Sequence, residues 1–150
     1  MKPTCVILHC SATPDRRSGH VNAALIDVWH KANGWSGIGY HKVVCRDGRI
    51  EVGRSEAKAG AHTKGHNNSI GICYAGTRYP TMDQIESLLK LYDELKTRYG
   101  FTWKDWFGHY EFTDKKLCPV FSMNVFRVLL REHDKWTQLR RRNSCPMLTS

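Results

Sequence analysis

The chain has no run near the roughly 18 apolar residues that a membrane-crossing helix needs. Its N-terminus, Met1-Lys2-Pro3-Thr4-Cys5, carries one positive charge and then a short apolar run, which is no secretory signal. The expectation is a protein made, and at first kept, in a cytoplasm. Internal repeats, linkers and nucleic-acid-binding motifs are also missing, which ranks generic nucleic-acid binding last among its roles. Acidic residues are few: 14 Asp and Glu stand against 23 Lys and Arg, a net charge of +9. That balance favours anionic partners without choosing among them. A disulfide framework is not expected either. The six cysteines (5, 10, 45, 73, 118 and 145) are scattered, and without a signal peptide the thiols are expected to stay reduced.

What is there suffices for one globular domain spanning 1–150. The 150 residues are 41% hydrophobic and 11% aromatic. Residues 4–9 read as a short buried strand, because Cys5, Val6, Ile7 and Leu8 are continuous and apolar. His9 closes it, where fixed backbone meets an open loop. A helix over 22–33 is predicted, capped by Asn22, with Leu25, Val28, Trp29 and Ala32 as its apolar stripe. His30 lies beside that stripe. Residues 38–45 and 50–52 read as strands joined at Asp47-Gly48, where both residues can take positive φ. On the first of them Tyr40 and His41 take opposite faces. Residues 53–68 form a long loop whose glycines, amides and histidines either line a polar groove or are simply solvated.

A buried strand over 69–75 precedes the clearest helix, 81–99, with a Thr81/Gln84 capping box and Gly100 as its stop. Ile85, Leu88, Leu89, Tyr92 and Leu95 give its apolar face. A short strand over 103–107 follows. The last helix, 122–142, carries Val125, Val128, Leu129 and Trp136 as its buried side and ends in Arg140-Arg141-Arg142. Those charges suit a helix C-terminus. They would also let the basic helix and tail, about 122–150, hold an anionic envelope surface. The element order gives an α/β fold with a mixed central sheet flanked by helices, since the hairpin forces one antiparallel pair.

Chemistry concentrates between Gly108 and Pro119, a segment with little room for regular structure. His109 and Cys118 are both good zinc ligands, but two ligands on one loop do not make a site. His9 is the best third. A lone strand-end histidine is more often structural than a ligand, so its context has to decide.

That context is a series of short motifs in one order: His9-Cys10-Ser11-Ala12-Thr13, Trp29-His30-Lys31 with Gly34-Trp35, Gly39-Tyr40-His41, Arg46-Asp47-Gly48, His62 with Lys64-Gly65, Asn68-Ser69-Ile70-Gly71, and Lys116-Leu117-Cys118-Pro119. With these the chain resembles the zinc-dependent N-acetylmuramoyl-L-alanine amidases of phage endolysin type. The resemblance implies Zn2+ held by His9, His109 and Cys118, with Tyr40 and Lys116 as catalytic helpers. Lys116 is preferred to Lys115 because it keeps its distance to Cys118. The implied substrate is bacterial peptidoglycan, cut by a monomer that reaches the wall from the host cytoplasm. Catalytic zinc sites use three protein ligands and leave one position open. A thiolate weakens the metal as a Lewis acid, and a nearby Lys116 would offset that. No general base is identified; Glu111 is the carboxylate nearest in sequence. Two other classes share the resemblance: a peptidoglycan-binding module without catalysis, and a regulator that binds a phage RNA polymerase.

Overall fold

Val6, Ile7 and Leu8 are all fully buried because their strand, β1 (Val6–Cys10), lies inside the sheet with neighbours on both sides. The computed structural model describes residues 1–143, and Cys145 and the tail from residue 144 lie outside them. The sheet continues with β2 (Lys42–Val44), β3 (Ile50–Val52), β4 (Ile70–Tyr74) and β5 (Trp106–Gly108) in the spatial order β3-β2-β4-β1-β5. β1 runs parallel to β4 and β5, and β2 runs parallel to β4. Only β2 and β3 are antiparallel, with Val43 opposite Glu51. The sheet is mixed and flanked by helices, as expected. β2 is shorter than the predicted 38–45, because Gly39 and Tyr40 pair with loops rather than with a strand: Gly39 O accepts from Ala61 N and Tyr40 O from Arg54 N. In the hairpin turn Gly48 alone takes positive φ, at 83°; Asp47 does not.

Helix α1 (Ala23–Ala32) covers one face of the sheet, and α2 (Met82–Tyr99) and α3 (Met123–Asn143) cover the other. α2 starts on the expected capping box, with Thr81 accepting from Gln84 N, and ends at Gly100 in the left-handed region. Its Leu88, Leu91, Tyr92 and Leu95 join Val6, Leu8, Ile70, Ile72 and Trp106 in the larger core. Each such aliphatic side chain contributes roughly 1.5–3 kcal/mol by leaving water. The smaller core, on the α1 side, holds Val21, Ile26, Ile38, Val43, Cys73 and Ala75.

Two predicted helix faces are turned. α1 buries Ile26, whereas Val28 and Trp29 are exposed. The reason is polar: Asp27 accepts from Ile38 N at 2.8 Å and His30 Nδ1 accepts from Gly39 N at 3.0 Å, and these bonds fix the helix's inward side. α3 buries Met123, Phe126 and Leu130, whereas Val125, Val128, Leu129 and Trp136 face outward. Its rotation is set by Met123 N donating to Tyr110 Oη at 2.9 Å and Arg127 Nε donating to Trp106 O at 2.9 Å. No described helix is long and apolar enough to cross a membrane.

Candidate metal centre

Strand alternation decides where His9 points. Val6, Leu8 and Cys10 face the larger core, so His9, between them, projects from the opposite face. β5 lies beside β1, with Gly108 opposite Leu8, and delivers His109 next to the end of β1. The chain then turns back. Tyr110 N donates to Cys118 O at 3.0 Å, which closes the loop and returns the Cys118 thiol to the two imidazoles.

The three ligand atoms of His9, His109 and Cys118 all lie within 4.8 Å of one another. Cys118 Sγ stands 3.5 Å from His109 Nδ1 and 3.9 Å from His9 Nδ1. Metal–ligand bonds of about 2.1 Å to nitrogen and 2.3 Å to sulfur at a tetrahedral angle span about 3.6 Å, so this spacing fits a zinc ion. His9 and His109 are buried, and that burial holds both imidazoles below their ordinary value, helped at His9 by His62, His109 and then Lys116, and at His109 by Lys116. Neutral imidazoles are the form that binds metal. Cys10 lies beside Cys118, and that neighbouring thiol first, and burial second, push the Cys118 thiol up. A cation between the three ligands would ionise it instead.

The other predicted residues fall around this triad. The Tyr40 ring is half-buried with its centroid 5.0 Å from that of His9. Burial raises its hydroxyl well above the usual tyrosine value, so it stays protonated. Lys116 is exposed on the loop and acts electrostatically on both His9 and His109. Glu111 is occupied elsewhere. It pairs with Arg127 at 2.6 Å and accepts from Gly108 N at 2.7 Å. It is not poised as a general base.

Sequence reasoning missed the support beneath His9. His62 Nδ1 lies 3.1 Å from His9 Nε2, and His62 Nε2 lies 3.4 Å from Ser69 O. With Nδ1 of His9 turned to Cys118, its Nε2–H donates to His62 Nδ1, whose own Nε2–H donates to Ser69 O. This chain fixes both tautomers. His62 is buried, and burial lowers its pKa to about 4. Its ring occupies the space over Gly71, where a Cβ would come within 2.4 Å of Cδ2. The loop over 53–68 is therefore a built wall of the site. Its backbone is tied by Asn67 Oδ1, which accepts from His62 N and Thr63 N. The signal available in the sequence was the loop's length together with its histidines.

Comparison with known proteins points to one family. The profile of the N-acetylmuramoyl-L-alanine amidase family matches residues 1–121. The endolysin of Enterobacteria phage T3 is 47% identical over 128 residues, which are 79% of this chain and 81% of that protein. The structure of the N-acetylmuramoyl-L-alanine amidase LysC from Clostridium intestinale URNW superposes with a TM-score of 0.70 at 32% identity, covering 79% of this chain and 77% of that one. A complex of peptidoglycan recognition proteins LCa and LCx with tracheal cytotoxin gives 0.68 at 28% identity, covering 79% and 76%. The strand-end histidine, the loop that brings a second histidine and a thiol to it, and these likenesses together place the chain in the N-acetylmuramoyl-L-alanine amidase family.

Proposed function

We infer that the protein is an endolysin that hydrolyses the amide between the lactyl group of N-acetylmuramic acid and L-alanine in peptidoglycan, with zinc as its cofactor. The observation that carries this reading is the convergence of His9, His109 and Cys118 within 4.8 Å at the ends of two adjacent parallel strands. His9, His109 and Cys118 would hold the metal. When bound, zinc supplies a Lewis acid that polarises the amide carbonyl and lowers the pKa of water toward about 7.

The chain's own residues divide the remaining work. Tyr40 keeps its proton through the physiological range and donates a hydrogen bond to the oxyanion that develops as the carbonyl is attacked. Lys116 brings a positive charge to the same rim and offsets the charge donated by the thiolate. His62 holds His9 in the tautomer whose Nδ1 is free to bind metal. The basic surface suits a wall rich in carboxylates.

A module that only grips the wall needs the cleft but no converging metal ligands. Two measurements on one sample separate the readings: zinc content, and release of L-alanine amino ends from purified peptidoglycan. About one zinc per chain with hydrolysis is expected. Strong co-sedimentation with peptidoglycan and no hydrolysis would establish the binding module instead, and full hydrolysis by metal-free protein would remove zinc from the mechanism.

A further inference from the structure

We propose that the outward side of α3 docks on an anionic phospholipid bilayer through an apolar stripe set among cations. Val125, Val128, Leu129, Trp136 and Leu139 all lie on this side, and Val125 and Trp136 expose 70% and 66% of their surface. With Glu132 they follow a spacing of three and four residues, which on a helix makes one continuous stripe. Met123, Phe126 and Leu130 already satisfy the core, so the stripe is a second apolar face. A row of this kind on a stable surface marks an interaction site.

Charge decides the occupant. Residues 131–142 carry five cations (Arg131, Lys135, Arg140, Arg141 and Arg142) and two acids. One acid, Asp134, turns inward to Lys96 at 2.5 Å and Tyr92 at 2.6 Å. The other, Glu132, is paired with Lys135 at 2.8 Å and Arg131 at 3.3 Å. A second copy laid on this face would set cation against cation in a chain of net charge +9. An anionic bilayer instead accepts the apolar stripe into its boundary and the cations at its headgroups, with the Trp136 ring at the level where its apolar body and polar N–H are both served. The placement also suits function. α3 packs on the sheet face to which Leu8 and Cys10 point, and His9 projects from the other, so docking leaves His9 turned away from the lipid.

The test uses the full chain with phosphatidylglycerol-containing vesicles and with neutral phosphatidylcholine vesicles. The parent is compared with a Leu129→Gln, Trp136→Gln double variant, which keeps the net charge. The parent is expected to sediment with the anionic vesicles at low salt, and at least tenfold more weakly with neutral vesicles or at high salt, where charge is screened. The variant should bind the anionic vesicles at least tenfold more weakly while its circular dichroism and its peptidoglycan hydrolysis match the parent. Equal binding by parent and variant would overturn the proposal, because diffuse charge would then be sufficient. So would absence of vesicle binding, or a parent dimer in sedimentation velocity that the variant abolishes, which would make a second copy the occupant.

Discussion

Along β1, Leu8 and Cys10 meet an apolar layer built by Leu88, Leu91, Tyr92 and Trp106, while His9, between them, meets the rings of Tyr40, His62 and His109 at 5.0, 5.0 and 4.5 Å. One side is a large apolar core, against whose edge Cys118 packs; the other is a small core bordered by neutral imidazoles. The difference follows from strand alternation, which lets a single strand end serve both layers. It teaches that stability and chemistry are separable here. Substitutions on the α2 side should change the unfolding free energy, and substitutions around His9 should change metal and turnover.

The sharpest form of that separation pairs two variants. Cys118→Ser is expected to lower hydrolysis by at least about a hundredfold, on the order of 3 kcal/mol in the barrier, and to lose bound zinc in elemental analysis, with the fold kept by circular dichroism. Leu91→Ala, on the far side, should destabilise by roughly 2–5 kcal/mol in urea unfolding, the range for buried leucines. It should leave turnover per folded molecule unchanged. A tenfold loss of turnover in folded Leu91→Ala protein would show that the two layers are coupled.

A smaller effect is expected one step out from the ligands. His62→Phe keeps a ring of similar bulk over Gly71 but removes the acceptor for His9 Nε2. Partners of this kind are worth about 10- to 100-fold in metal affinity. Zinc competition with a chelator should register that loss, and His62→Gln, which retains an acceptor, should recover part of it. Unchanged zinc affinity in His62→Phe would mean that His62 serves only packing. Next in size, Lys116→Ala should lower turnover by about tenfold, near 1.4 kcal/mol, with zinc retained. Lys115→Ala should stay close to the parent, because Lys116 and not Lys115 acts on the two histidines.

How much of this the sequence shows depends on what fixes each feature. The β1 run, the Asp47-Gly48 hairpin, the Thr81 capping box and the Gly100 stop are local, and they lie where periodicity and turn chemistry put them. The residues of the triad could be named, yet their meeting rests on β5 pairing with β1, a long-range contact that local pattern does not encode. Helix rotation is hidden from local pattern for the same reason. α3 carries two apolar stripes, and hydrophobic spacing cannot choose between them. The choice is made by Tyr110 and by the Trp106 carbonyl, which hold Met123 and Arg127. α1 shows the converse, a polar inward side built on Asp27 and His30 that apolar periodicity is bound to miss.

The smallest expected effect is a slope, and it concerns a histidine outside the triad. His41 is fully buried at the start of β2. Its Nδ1 accepts from Gly71 N at 3.0 Å, so Nε2 carries the hydrogen and donates to Lys58 O at 3.1 Å. A protonated ring could not accept from Gly71, and burial likewise disfavours the charged form and lowers its pKa. The unfolded chain, with a histidine near 6.5, takes up a proton that the folded chain refuses. Stability is therefore complete above about pH 6.5 and is lost as pH falls below it toward the lower folded value. Each such histidine contributes a slope of up to about 1.4 kcal/mol per pH unit. His41→Gln can accept from Gly71 and donate to Lys58 without titrating. Urea unfolding of parent and variant between about pH 7 and pH 5 should give a shallower fall for the variant. Parallel curves would mean that His41 takes its proton without leaving its place beside Gly71, and the polar side would then be less rigid than its hydrogen bonds imply.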